Sequence, residues 1–286
     1  MPTINEERLF ALRQQTHHLT PGGHLRGIEE AIDYVNQRGF IFFWPISGID
    51  LPSLWVAVAG DRPVADAHDD PGHVSWGWKD SLLGTRSWFY AKALRKRATI
   101  ISMQVVPYFY ALSDNYGSPE DDYLIQYEQG LMTLEARAIY EAILKDGPLD
   151  TIALRKAARL SSRESESRFN KAITDLQADF KIVPTAVTQA GAWRYAFAYD
   201  LVSRHYPEIA EQARFIGELD ARRKLVEMYI NSVGACQFSG ISRLFSWKID
   251  EVQRELTYLA AQDKIFWDLE RPAHPGKWVA LSSLCE

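Results

Sequence analysis

A chain of 286 residues with 47% hydrophobic and 24% charged side chains can bury the cores of two or three domains, and its composition excludes wholesale disorder. A net charge of −5 excludes a uniformly basic coat but leaves room for a local basic groove. Two cysteines, Cys236 and Cys285, are too few for a disulfide framework. No apolar run reaches the roughly 18 residues of a membrane span. The opening Met-Pro-Thr-Ile-Asn-Glu-Glu-Arg lacks a signal peptide's basic start and apolar centre. The expectation is a cytoplasmic protein, neither membrane-bound nor secreted.

The first third reads as helix over Glu6–Gln15, ended by Thr20-Pro21-Gly22-Gly23, then helix again over Leu25–Gln37. Leu25, Ile28, Ile32 and Val35 give that second helix one apolar face, and Gly39 marks its end. Residues 39–55 are nearly all apolar but carry two prolines and Gly48. They read as a buried, sharply turned segment holding one acid, Asp50. Asp61–Gly72 is a polar loop. The spacing predicts a helix over Ser87–Arg97, with Lys92, Arg95, Lys96 and Arg97 meeting the negative end of its dipole.

The middle third is more regular. A helix over Thr133–Lys145 is stopped by Gly147-Pro148. Asp150 caps a second over Thr151–Arg159, and Ser161-Ser162 a third over Glu164–Asp179. Phe169, Ala172, Ile173 and Leu176 form the apolar stripe of the third. Strands are expected over Lys181–Val187 and Trp193–Tyr199, with Ala190-Gly191 turning between them. The last third repeats the order, with helices over Ala221–Ser232, Ser239–Phe245 and Asp250–Gln262. Strands over Ile265–Leu269 and Lys277–Leu281 then flank the turn Arg271–Gly276. Three helices followed by a hairpin is the winged-helix order. The expected fold is mainly α with small β-hairpins (α+β), in tandem winged-helix domains. The expected domains are an N-terminal helical, winged-helix-like one (1–130), a central winged helix (131–205) and a C-terminal winged helix (206–286).

In a winged helix the third helix offers its polar side to a DNA groove, and the hairpin lies along the backbone. Here that side carries Arg163, Arg168, Asn170, Lys171 and Thr174, with Arg159 just before it and Arg194 on the wing. Residues 131–200 are also the least acidic segment, with 10 Lys/Arg against 9 Asp/Glu. Lys92 and Arg95 join the DNA-contacting candidates. Glu164, Glu166, Asp175 and Asp179 share the helix, which leaves open a solvated face of i,i+4 pairs. A winged helix that serves only as a protein-interaction scaffold also stays open.

Three stretches resemble one family. Gly147-Pro148-Leu149, with Ala153-Leu154 after it, is similar to a central winged helix. Ser232-Val233-Gly234-Ala235 and then Gly240-Ile241-Ser242-Arg243-Leu244-Phe245-Ser246-Trp247 resemble the opening of the next. Trp76-Gly77-Trp78-Lys79-Asp80-Ser81-Leu82-Leu83 resembles a Trp-centred block ahead of a helix. In this order they resemble the winged-helix DNA glycosylases of the AlkZ/YcaQ crosslink-repair type. The resemblance implies tandem winged helices around duplex DNA and cleavage of the N-glycosidic bond of alkylated or crosslinked purines, with no cofactor. It also implies a catalytic Gln, an apolar residue, then Gln or Asp, just after the second helix. A carboxylate or amide there stabilises an oxocarbenium-like sugar and positions water.

The corresponding stretch here is Ser47-Gly48-Ile49-Asp50. Aligned on Gly48-Ile49-Asp50, the motif keeps its acid and loses the first Gln to Gly. Aligned on Ser47-Gly48-Ile49, Ser47 stands first and no acid remains. Asp50 is the leading catalytic candidate and Ser47 the alternative. A structural acid capping the turn before Pro52 is the other reading of Asp50. The family's terminal β-domain is not expected in this chain.

Trp44, Trp55, Trp76 and Trp78 are candidates to stack on an extruded base, or else core aromatics. His68-Asp69-Asp70-Pro71-Gly72-His73 has metal-ligand residue types but no established zinc spacing, so no metal is expected. His17 and His18 read as surface residues and Cys236 as a small buried hydrophobe. The expected partner is double-stranded DNA, in the cytoplasm and on the nucleoid when bound, with no membrane and no obligate protein partner. The expected function is a DNA-repair glycosylase. The alternative is a non-catalytic winged-helix DNA binder, a regulator or damage binder.

Overall fold

The computed structural model describes residues 2–20, 22–191, 194–271 and 274–286. Its contacts gather the chain into two units, Met1–Gly77 with Glu218–Glu286, and Trp78–Gly217.

The first unit opens with α1 (Glu6–Thr16). Asn5 caps it by accepting from the Arg8 N–H, and Glu6 and Glu7 lie in its first turn. Helix α2 (Ile28–Arg38) ends at Gly39, whose φ of +81° a side chain would resist. Strand β1 (Phe40–Phe42) is wholly buried. A loop that turns at Gly48 (φ +75°) then leads to α3 (Leu54–Ala59), capped by Ser53. Helix α4 (Val74–Ser81) carries the Trp-centred block.

In the second unit, β2 (Phe89–Ala91) and β3 (Thr99–Ile101) form an antiparallel hairpin. The expected helix over Ser87–Arg97 is therefore a strand followed by a loop. Arg95 and Lys96 both take φ of +55°, which no α-helix accommodates, and Phe89 and Ala91 are buried at strand spacing. The cations cannot serve a helix dipole there. Helices α5 (Val106–Tyr110), α6 (Asp122–Glu128) and α7 (Leu134–Asp146) follow. Strand β4 (Leu149–Asp150) leads into α8 (Thr151–Ala157), which Asp150 caps by accepting from the Ile152 and Ala153 N–H groups. Helix α9 (Glu166–Ala178) buries Phe169, Ala172, Ile173 and Leu176 against Ile139 and Ile143 of α7. Each large side chain so buried contributes about 1.5–3 kcal/mol. Strands β5 (Ile182–Thr188) and β6 (Ala196–Leu201) pair from Ile182↔Leu201 to Thr188↔Ala196, and β4 completes the sheet on the far side of β6. Trp193, at the expected start of the second strand, lies outside the described residues. Helices α10 (Val202–His205) and α11 (Pro207–Ala213) close the unit.

The chain returns to the first unit with α12 (Glu218–Val233), β7 (Ala235–Gln237), α13 (Phe238–Phe245), α14 (Ile249–Ala260), β8 (Ile265–Arg271) and β9 (His274–Leu281). The sheet order β7-β9-β8 repeats β4-β6-β5. Within the expected turn Arg271–Gly276, residues 272 and 273 lie outside the described residues. The ends of the chain meet in this unit: Ile4 bridges Cys285, and Asn5 donates its N–H to the Leu284 carbonyl. The fold is mixed α/β, with many helices and small antiparallel sheets, and both helix-and-hairpin blocks are winged-helix-like.

Candidate functional site

Asp50 stands on the loop between β1 and α3, its side chain 52% exposed. Its Oδ2 accepts from Nη2 of Arg13 at 3.3 Å. Oδ1 has no hydrogen bond among the described residues. Arg13 comes from α1 and is fixed by backbone: its Nε donates to the Val233 carbonyl at 3.0 Å and its Nη2 to the Ala235 carbonyl at 2.8 Å. The Val233 carbonyl ends α12, where the helix dipole favours a cation, and the Ala235 carbonyl opens β7. One turn after Arg13, His17 shares its face of the helix. His17 is half-buried with Nε2 unpartnered, which corrects its reading as a surface residue. Burial first, and the Arg13 charge second, depress its pKa to about 4, so the imidazole is neutral at pH 7. The Cys236 thiol is fully buried and pushed up to about 12 by desolvation, so it is an inert hydrophobe as expected. Ser47 is exposed and has no hydrogen-bond partner among the described residues.

The aromatic candidates divide. Trp44 packs against Phe43 (centroids 4.5 Å apart), Trp55 (5.4 Å) and Trp76 (6.0 Å). Trp55 is 0% exposed, donates Nε1–H to the Arg62 carbonyl and lies under Gly72, where a Cβ would come within 2.9 Å of its ring. Base stacking by Trp55 is thereby excluded, because an indole sealed in the core presents no face to a nucleotide. Trp76 is 39% exposed and Trp78 half-buried, both on α4. Next to them Lys79 is buried in an aromatic cage. Its Nζ donates to Tyr195 Oη at 2.9 Å, pairs with Asp80 and lies 4.7 Å from the Phe197 ring centroid. The histidine-rich loop spends its acid locally. Asp70 accepts two bonds from the Arg62 guanidinium and caps the turn at Gly72, while His73 Nε2 bonds the Ala65 carbonyl. Among the described residues no three His, Cys, Asp or Glu side chains group as metal ligands.

The second unit brings most cationic candidates onto the polar side of α9. The β2–β3 loop lies on that side. Lys92 Nζ donates to Thr174 Oγ1 at 3.3 Å, the Lys92 N–H donates to Gln177 Oε1, and Lys96 pairs with Asp175 at 2.5 Å. Lys171 also pairs with Asp175, and Arg168 with Glu135. Asn170 on α9 and Arg95 and Arg97 in the β2–β3 loop are also exposed. Helix α9 is therefore not a bare recognition helix; its face is a composite of helix and basic loop. Arg159 and Arg163, near the start of α9, have no ion-pair partner among the described residues, and neither has Arg97. Arg194 is exposed in the turn before β6. Sequence reasoning missed Arg13, which carries no motif and meets Asp50 only through the fold. The i,i+4 spacing of Arg13 and His17 was the one local signal available.

These features define a winged-helix-like protein with an exposed acid after its second helix and a cationic helix-and-loop face. The family model described as "AlkZ related" matches residues 25–246, and the chain belongs to the AlkZ-related family. Among solved structures it is similar to the Streptomyces sahachiroi DNA glycosylase AlkZ, at 14% identity and a TM-score of 0.60 over 99% of this chain and 71% of that one. At that identity the likeness carries the fold alone. No curated protein matches by sequence.

Proposed function

We propose that the chain binds double-stranded DNA through tandem winged-helix modules, over residues 131–205 and 206–286, and is a cofactor-free, monofunctional DNA glycosylase for alkylated or crosslinked purines. The observation that carries this reading is Asp50. In a chain of the AlkZ-related family, a half-exposed carboxylate with one unpartnered oxygen stands on the loop after β1. The fold it shares with a DNA glycosylase and the cationic face of α9 support the same reading.

A purine alkylated at a ring nitrogen carries positive charge. Its bond to C1′ breaks with the electron pair going to the base, which leaves neutral. The sugar is left as an oxocarbenium ion, which the Asp50 carboxylate stabilises electrostatically. Oδ1 accepts a hydrogen bond from water, whose oxygen attacks C1′; the proton passes to Asp50 and on to solvent. The products are the free base and an abasic site. Trp44 and Trp76 are aromatics left to stack on a displaced base, and the half-buried Trp78 is a further candidate. The proposed location is the cytoplasm, on the nucleoid when DNA is bound.

The test is incubation with duplex DNA carrying 7-methylguanine, scoring free base and abasic sites. Release is expected from the native chain and a steep but measurable slowing of it from Asp50→Asn, with DNA affinity retained. A second reading, DNA binding without this chemistry, draws on the alignment of Ser47-Gly48-Ile49 with the family motif, which leaves no acid within it. Tight binding with no release by the native chain selects it.

A further inference from the structure

We infer that Arg13 is the positioning residue for Asp50: it holds the carboxylate by one oxygen and so aims the other at the reacting sugar. The inference rests on the reading of Asp50 as the catalytic acid. Three observations carry it. The guanidinium's place does not depend on Asp50, since its Nε and Nη2 bond the carbonyls of Val233 and Ala235 at 3.0 and 2.8 Å. It is also the more buried partner, 27% exposed against 52% for Asp50. The bond to Asp50 is the long one, 3.3 Å, where a tight charge-assisted pair closes to about 2.8 Å. A cation fixed by the last carbonyl of α12 and the first of β7, with a loop carboxylate leaning on it at slightly long range, orients that carboxylate without a close ion pair to neutralise it.

The surroundings agree. Asp50 follows Gly48, whose positive φ turns the loop, and the loop offers Asp50 no other hydrogen bond among the described residues. Without Arg13 the carboxylate would sample several rotamers. The other basic group in this neighbourhood on α1, His17, is held neutral beside the guanidinium, so it does not replace the cation. An ordinary exposed ion pair contributes little to stability. A positioning contact, in contrast, shows in the rate, because misplacing a catalytic group costs roughly ten- to hundredfold.

The experiment compares the native chain, Asp50→Asn, Arg13→Gln, Arg13→Lys and the double variant Arg13→Gln/Asp50→Asn. Single-turnover release of 7-methylguanine from duplex DNA is measured, together with DNA affinity by anisotropy and melting temperature. Arg13→Gln is expected to slow release roughly ten- to hundredfold with affinity within about twofold. Arg13→Lys should recover part of the rate, and the double variant should be no slower than Asp50→Asn alone. That non-additivity is not expected of a merely structural arginine. Native release rates in Arg13→Gln, with Asp50→Asn strongly slowed, overturn the positioning role and leave Asp50 standing. So does a rate loss in Arg13→Gln that adds to that of Asp50→Asn, or that follows the melting temperature and is fully matched by Arg13→Lys. Full release by Asp50→Asn, or none by the native chain, removes the reading of Asp50 and this inference with it.

Discussion

Two single residues show how much one position can depend on its neighbours. Gly234 links α12 to β7 at φ +73°, and a Cβ there would lie 2.6 Å from Leu12 Cδ2, 2.8 Å from Leu9 Cδ1 and 3.0 Å from Leu284 Cδ1. Gly234→Ala is expected to destabilise by about 2 kcal/mol, from left-handed strain and displaced leucines together, measured by urea unfolding. His17 makes stability depend on pH. Arg13, Asp50, Arg38 and Asp61 act on it, and burial outweighs them all. Its folded pKa of about 4 lies below the unfolded 6.5, so in acid the unfolded chain takes up a proton that the folded one refuses. Stability from this group is complete above pH 6.5 and is lost as pH falls toward 4, by roughly 2–3 kcal/mol. His17→Gln should lose less stability over that window, and NMR should find the His17 midpoint near pH 4 in the native chain. A midpoint near 6.5 would contradict the burial argument.

At the scale of elements, α14 and α12 are joined by an unusual pair. Glu255 sits among Val252, Leu256 and Leu259 on the inward face of α14, its side chain 0% exposed. Arg223 of α12 reaches it, Nε to Oε2 at 2.9 Å, with its guanidinium 3.8 Å from the Tyr258 ring centroid. Removing the arginine strands a buried charge, whereas removing the glutamate leaves a partly exposed arginine. Arg223→Met is therefore expected to cost about 3 kcal/mol and Glu255→Gln less, with Arg223→Met/Glu255→Leu recovering most of the loss. Chemical denaturation of the three variants checks this order. The β2–β3 loop illustrates the same scale differently. Its four cations read as a helix end from spacing alone, yet two consecutive left-handed residues make it a lobe that lies on α9.

For the whole molecule the governing quantity is where charge sits. The chain carries −5 overall, so tight non-specific binding to DNA must come from local cations. Arg168 and Lys171 stand on α9, Arg163 lies just before it, and Arg97 is exposed in the β2–β3 loop that contacts α9. If Arg97 and Arg163 contact phosphates, replacing both with Ala should flatten the plot of log affinity against log salt by about 2, near 0.9 per contact. Arg168→Ala/Lys171→Ala should flatten it less, because each already has an acidic partner. Lys264→Ala, whose native side chain is paired with Glu227, serves as a control expected to leave the slope unchanged. Affinity that ignores salt altogether would point instead to a protein-interaction scaffold.

Periodicity and caps made the two helix-and-hairpin blocks legible, because an amphipathic helix must repeat its apolar residues every three or four positions. The stripe Phe169, Ala172, Ile173, Leu176 is buried as that rule requires. The burial of Cys236 was also legible, but the segment read as buried around Asp50 is buried only on either side of its turn: Pro45, Ser47, Gly48 and Asp50 are exposed, because the loop leaves the core between β1 and α3. Periodicity failed at residues 87–97, where clustered cations outweighed a short buried strand in the reading, and it left Trp55 open between stacking and core, since that depends on what covers it. Local sequence determined the elements and the one acid in the turned segment, since those follow from neighbours along the chain. Tertiary structure alone decided that Arg13 meets Asp50, that His17 stays neutral and that a basic loop covers part of α9, since each joins residues far apart in sequence, and burial and charge act through space.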